Sequence, residues 1–259
     1  MSAPVLVVVE HDRGDLMPAT LEAMTIARDL AIAYDVPVEA LAVGDVAART
    51  VDRLGEFGAG VVHLVTDELL TDYGPEIWAD CVTQAVRSLA PSMVIATGTD
   101  RGNEIMAGVA ARLDAPFAAN CIDVRPTEGG ADLTRVRWGG SLLEQARLDA
   151  ETPLVTIAHH SIEPVPAVAP GAAVISPLPV EIDRALTRSM VTGRVERTAG
   201  ITLATAPVVV GGGRGVGSAE GFSALETLAS TLGGVVGCSR AVTNNGWRNH
   251  ADQVGQTGT

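Results

Sequence analysis

Residues 4–43 read PVLVVVEHDRGDLMPATLEAMTIARDLAIAYDVPVEALAV. Pro4 to Glu10 is a dense run of Val and Leu, the pattern of a strand buried on both faces. From Leu21 to Tyr34 the apolar residues recur at helical spacing, through Met24, Ile26, Ala27, Leu30 and Ala31. Pro37 to Val43 is a second strand. A strand, a helix and a strand in that order form a βαβ unit, which is right-handed and places its strands parallel.

The same grammar continues on the C-terminal side. Asp45–Phe57 reads as a helix ending near Gly58, and Gly60–Val65 as a strand. Pro75–Leu89 is a helix halted by Pro91, Ser92–Thr97 a strand and Asn103–Leu113 a helix. Asn120–Arg125 and Thr134–Trp138 are expected to be strands, the second in a hairpin. Leu142–Ala150 is expected to be a short helix, and Pro153–Ala158 another buried strand. Ile162–Pro179, rich in Pro and Ala, reads as an extended connector. Val180–Arg197 reads as a strand-like return, with a domain boundary near Thr198. The expected domains are therefore 1–197 and 198–259.

Beyond Ala206 the alternation restarts. Pro207–Val210 is a strand, Gly211–Gly217 a glycine-rich turn, and Phe222–Leu232 a helix. Ser218 is the expected N-cap, with Glu220 near the positive helix end. Gly233 and Gly234 stop the helix, and Val235–Gly237 begins a further strand. These elements are too few to fold alone. The sequence is therefore read as truncated at its C-terminus or completed by a partner.

The chain has 259 residues and a formal net charge of −13. That charge disfavours nucleic acid as a partner, because neutralising phosphates needs clustered cations. An acidic surface suits either a basic protein partner or simple solubility. All 18 basic residues are Arg, which removes a P-loop lysine and any Schiff-base lysine. Cys81, Cys121 and Cys238 have no C-x-x-C spacing and read as small buried hydrophobes. No H-E-x-x-H or similar spacing points to a metal. No leader and no membrane-spanning run is evident, so a cytoplasmic protein without a transmembrane segment is expected.

Three segments carry potential chemistry. Gly211-Gly212-Gly213-Arg214-Gly215-Val216-Gly217-Ser218 follows a strand and opens a helix, so its backbone N–H groups can approach an anion closely. Its spacing is not G-x-G-x-x-G, and a plain tight turn reads equally well. Cys238-Ser239-Arg240 lies at a strand's carboxyl end, where ligands bind in open α/β sheets, although an isolated Arg there is more readily a solvated surface group. Gln253-Val254-Gly255-Gln256-Thr257-Gly258-Thr259 offers amide and hydroxyl groups suited to a heterocycle edge, though by itself it reads equally as a polar loop. Asp100-Arg101 and His159-His160 are catalytic candidates by residue type alone, and read more readily as packing or capping groups.

Taken together, in this order and spacing, VVVGGGRGVGS, GCSRAV, Asn245-Gly246-Trp247 and QVGQTG resemble the alpha subunit of electron transfer flavoproteins, a family that includes the FixB proteins. The VLVVVEH opening, MVIATGTDRGNEIMAGVAARLDAP and VRWGGSLLEQ are similar to that family's first domain. The resemblance implies a parallel-sheet, nucleotide-hydrolase-like α/β domain, 1–197, serving structure and partner binding, followed by a Rossmann-like FAD-binding domain, 198–259. It implies an electron carrier with FAD as cofactor, not a catalyst with its own substrate. Its partners would be an electron transfer flavoprotein beta subunit, acyl-CoA or other dehydrogenases, and a quinone oxidoreductase. Arg214, Ser239, Arg240, Val254, Gly255, Gln256 and Thr257 match the family's cofactor-binding positions. Arg240 would lie beside the flavin ring, and the Thr257 hydroxyl near its N5.

The sequence departs from the pattern at Gly211, where Ser is usual, and at Thr259, where Lys is usual. The later I-S-G-A-x-Q-H and A-I-N-K-D segments, which hold the ribityl and phosphate side, are not in this sequence, so the expected FAD domain is incomplete. A second reading is a non-redox adenine-nucleotide-binding or assembly protein that works through its first domain.

Overall fold

The computed structural model describes residues 3–138, 140–191, 203 and 206–255. The chain divides into two compact units, Met1–Thr192 and Gly193–Thr259.

In the first unit the opening βαβ forms as β1 (Val5–Val8), α1 (Pro18–Tyr34) and β2 (Val38–Val43). There follow α2 (Val51–Glu56), β3 (Val61–Val65), α3 (Pro75–Leu89), β4 (Met93–Thr97) and α4 (Asp100–Leu113). Then come β5 (Phe117–Thr127), β6 (Gly130–Arg137), β7 (Leu142–Asp149), β8 (Leu154–Ile157) and β9 (Val174–Pro177). One nine-stranded sheet runs in the order β9-β3-β2-β1-β4-β8-β5-β6-β7. It is parallel from β9 to β5, and β6 and β7 continue it antiparallel.

The Val/Leu run of β1 divides between two layers because side chains alternate across a strand. Val5 and Val7 join Met24 and Leu30 of α1 and Leu54 of α2. Leu6 and Val8 join Ile77 and Val82 of α3 and Met106 of α4. Fully burying each large aliphatic side chain contributes about 1.5–3 kcal/mol. That explains why the central strands β1, β4 and β8 are buried along their whole length.

Helix starts fall earlier than apolar periodicity alone places them. α1 begins at Pro18, whose fixed φ suits a first helical turn. α4 begins at Asp100 rather than Asn103, because the Thr99 hydroxyl accepts the Gly102 N–H at 3.0 Å. The expected helix over 45–57 splits into a 3₁₀ turn, Asp45–Thr50, and α2.

Three expectations are corrected. Leu142–Ala150 is not a helix: Leu142–Asp149 is strand β7. Pairing with β6 brings Ala146 opposite Leu133 and Leu148 opposite Ala131, on the face that joins the α1 core. That burial outweighs the helix propensity of Leu, Glu, Gln and Arg. The connector is extended, but Val174–Pro177 also pairs with β3 and covers an otherwise bare edge. Pro177 is tolerated there because an edge strand needs its N–H groups on one side only. The return after Val180 is not strand-like up to Ser189, since Arg184–Ser189 forms a 3₁₀ turn capped by Asp183. Residues 192–197 lie outside the described residues.

The second unit holds β10 (Val209–Gly212), α5 (Phe222–Thr231), β11 (Val235–Cys238) and α6 (Arg240–Asn244). β10 and β11 are parallel, with Gly212 beside Cys238. Phe222, Ala229, Val236, Cys238 and Val242 form a small core, against which Leu225 and Trp247 pack. Ser218 does not cap α5 directly, since the helix starts at Phe222 with Gly221 before it. The Ser218 hydroxyl instead accepts the Gly221 N–H at 3.3 Å, shaping the turn that enters the helix.

Candidate functional site

The second unit gathers three chain segments at one sheet edge. β10 ends at Gly212 and leads into the short 3₁₀ turn Arg214–Val216. β11 ends at Cys238 and leads into Ser239 and Arg240. Gln253 bridges to Cys238 in parallel, and the Val254 N–H donates to the Cys238 carbonyl at 2.9 Å. Arg214, Ser239, Arg240, Val254 and Gly255 therefore follow the carboxyl ends of three neighbouring parallel segments. Gln256 and Thr257 lie outside the described residues.

Contacts fix this edge closely. The Ser239 N–H donates to the Gly212 carbonyl at 3.0 Å, holding the two strand exits side by side. A side-chain carbon built on Gly213 would lie 3.9 Å from the Ser239 hydroxyl. Arg214 and Arg240 are exposed, and Ser239 and Val254 are half-buried. Arg240 shares an open cleft of about 360 Å³ with Asn244, His250 and Gln253. Gln253 is buried, and its side-chain carbonyl accepts the Thr243 hydroxyl at 2.8 Å. Burial pushes the Cys238 thiol up, so it is a packing group and not a nucleophile. Beside the turn, the Glu220 backbone N–H and the Ser218 hydroxyl hold the exposed Glu220 carboxyl below the usual carboxylate range.

The glycines of the turn differ in what surrounds them. Gly212 is pressed against the Phe222 ring, where a side-chain carbon would meet it at 2.4 Å. Gly211, Gly215 and Gly217 have nothing within 4 Å of that position. Gly217 alone has a positive φ, +89°. Gly211 and Gly215 are thus required neither by neighbouring protein nor by left-handed backbone. They leave the backbone bare towards open space, as close approach by a ligand requires.

The carboxyl edge of the first unit is built in the opposite way. β1 and β4 are neighbours at the point where the strand order reverses, the usual ligand crevice of an open α/β sheet. Glu10 fills it. Its buried carboxylate accepts hydrogen bonds from the Thr97 hydroxyl and, at 2.6 Å, from the Thr99 hydroxyl. A side-chain carbon on Gly98 would meet the Ile157 carbonyl at 2.5 Å, and one on Gly102 would meet the Thr97 carbonyl at 2.0 Å. The glycines of TGTDRGNE therefore serve strand–helix packing. A carboxylate in the crevice repels phosphate, which weighs against a nucleotide there.

Asp100-Arg101 and His159-His160 do not converge on a reaction centre. Arg101 lies over the Tyr73 ring at 4.9 Å and pairs with Asp12 at 3.8 Å. His159 approaches the Gly98 carbonyl at 3.2 Å through Nδ1, and both histidines are exposed. Cys81 and Cys121 are buried, with thiols pushed up to about 12 by burial. Among the described residues no group of three metal-ligating side chains comes together. No helix among them is long and apolar enough to cross a membrane.

Sequence reasoning missed Asn244, His250 and Arg248. Asn244 is legible as four residues, one helical turn, beyond Arg240. Arg248 and His250 carry no local signal, because the pairing of Gln253 with Cys238 is what returns them to the edge.

A parallel α/β unit followed by a second α/β unit with a bare glycine turn at its carboxyl edge defines a protein of the open α/β class, whose ligands bind at that edge. Comparison with known proteins narrows this. The electron transfer flavoprotein domain matches residues 5–183, and the electron transfer flavoprotein FAD-binding domain matches residues 202–259. The electron transfer flavoprotein subunit alpha of Mycobacterium tuberculosis strain H37Rv is 36% identical over 256 residues, covering 99% of this chain and 78% of that protein. Protein FixB of Bradyrhizobium diazoefficiens is 34% identical, covering 98% of this chain and 71% of that protein. The alpha subunit of Bacillus subtilis is 31% identical, covering 100% and 78%. The chain belongs to the electron transfer flavoprotein alpha-subunit family. It is an electron-transfer protein with FAD as its cofactor, not a catalyst with a substrate of its own.

Proposed function

We propose that this chain pairs with an electron transfer flavoprotein beta subunit in the cytoplasm. In this reading the pair carries electrons from acyl-CoA or other dehydrogenases, as in fatty acid β-oxidation, to a quinone oxidoreductase. The bound flavin supplies one-electron redox chemistry, which no side chain here provides. The observation that carries the reading is the bare Gly211–Gly217 turn beside Ser239 and Arg240, set against the Glu10-filled crevice of the first unit.

Each residue has a role in this reading. The N–H groups around Gly213 and Gly215, with Arg214, meet anionic cofactor oxygens. The Ser239 hydroxyl donates to the cofactor from the neighbouring strand exit. The Arg240 guanidinium stays charged at any working pH and favours electron density on the ring. Val254 and Gly255, with Gln256 and Thr257, border the ring from the third segment. The first unit, 1–197 in this reading, supports the beta subunit, and 198–259 serves FAD.

The test is to co-express the chain with a beta subunit, purify the pair and record its visible spectrum. One FAD per pair, with flavin absorption bands, is the expected result. A stable colourless pair that takes up no added FAD refutes the reading.

A further inference from the structure

The cleft at Arg240 has two walls. One is α6, where Asn244 lies one turn beyond Arg240 and so shares its face. The other is the 3₁₀ turn His250–Asp252. That second wall is anchored from several sides. The Asn249 side chain accepts the Ala251 N–H at 3.1 Å. Arg248 bonds Asp252 at 3.0 Å and Glu226 of α5 at 2.7 Å, and lies over the Phe222 ring at 5.3 Å. Gln253, next in sequence, is buried against Thr243 and bridges to β11.

The backbone carrying His250 is thus held firmly while its side chain stays exposed on the cleft. Among the described residues no hydrogen bond or ion pair engages the side chains of Arg240, Asn244 or His250. A cation, an amide and an imidazole line one open cleft of ring-ligand size. Together they offer donors and acceptors to a planar heterocycle rich in carbonyl and ring nitrogen atoms.

We infer that Asn244 and His250 are two further residues that touch the flavin ring, opposite walls of the cleft that Arg240 opens. The inference rests on the FAD reading above. The side chains add hydrogen bonds and a flat surface, and the Arg248 clamp presets the turn so that little ordering remains on binding.

The experiment uses the complete pair with the beta subunit, stripped of flavin and titrated with FAD. Asn244→Ala and His250→Ala are each expected to weaken FAD binding about three- to tenfold, the worth of one hydrogen bond. Each is also expected to shift the visible flavin bands. His250→Gln, which keeps hydrogen-bonding capacity, should recover part of the loss. Thermal stability of the flavin-free pair should not change, since neither side chain is buried. Unchanged FAD affinity with unshifted bands in both alanine variants overturns the inference, and leaves the FAD reading intact if the parent pair binds FAD. Loss of pairing with the beta subunit at unchanged FAD affinity also overturns it, by assigning the cleft to the partner. A parent pair that binds no FAD refutes both.

Discussion

His11 shows how one buried residue couples the first unit to pH. Its Nε2 meets the Val43 carbonyl at 2.8 Å, and its Nδ1 accepts the Gly14 N–H at 3.1 Å. Both ring nitrogens are thus committed in a neutral ring, and protonation breaks the Gly14 bond. Burial lowers its pKa from the ordinary histidine value, partly offset by the Val43 carbonyl, and nearby Arg101 lowers it further. The folded state therefore binds this proton less readily than the unfolded chain. The associated stability is present above about pH 6.5, the unfolded value, and is lost as pH falls through the depressed folded value. His11→Gln should lower the denaturation midpoint at pH 7.5, and the gap to the parent protein should narrow by pH 5.5. A gap independent of pH would show that His11 does not titrate in this way. Arg240 makes a contrasting case. It is exposed and has no partner among the described residues, so Arg240→Ala should leave the melting temperature unchanged. It should lower the flavin midpoint potential by tens of millivolts, a tenfold shift in a one-electron equilibrium being about 59 mV. Potentiometric titration of the parent and variant pairs reads this directly.

Two strand–turn–helix elements rich in glycine differ in purpose, and substitution separates them. Gly102 in α4 has no room, because an added carbon would sit 2.0 Å from the Thr97 carbonyl. Gly102→Ala should cost about 1–3 kcal/mol, the range for overpacking, seen as a lower denaturation midpoint. Gly215 faces open space without a positive φ. Gly215→Ala should leave stability within about 0.5 kcal/mol, as for ordinary surface changes, and weaken FAD binding by crowding the backbone. Loss of stability at Gly215, or unchanged affinity, would assign its turn a purely structural role. In sequence the two motifs look alike, since both place glycines between a strand and a helix. Only their surroundings tell them apart. β7 teaches a related lesson: Leu142–Asp149 has helix-forming composition, yet a partner strand that buries Leu148 and packs Ala146 against the core makes it a strand.

Across the whole molecule the two units differ greatly in core size. Among the described residues the first has an extensive core on each sheet face, and the second a small one centred on Phe222 and Cys238. A ligand that binds only folded chain stabilises it by mass action, by about 2.7 kcal/mol at one hundred times its Kd. FAD should therefore raise the melting of the second unit far more than that of the first. Trp247 reports on the second unit, while Trp78 and Trp138 lie in the first. Fluorescence melts of two variants, one with Trp247 as its sole tryptophan and one with Trp247→Phe that keeps Trp78 and Trp138, each with and without FAD, check this, and equal shifts in both units would refute it. The Val/Leu runs, the helical spacing and the order GGGRGVGS, CSRA and QVGQTG were enough to establish parallel α/β units and the family. They suffice because the central strands β1, β4 and β8, buried on both faces, are almost wholly apolar, and because close approach of a ligand to backbone calls for glycine. Which glycines stand open, that Glu10 closes the first crevice, and that Asn244 and His250 share the Arg240 cleft depended on folding. These are relations between residues far apart in the chain, set by strand register and by the Gln253 bridge to Cys238, and no local pattern records them.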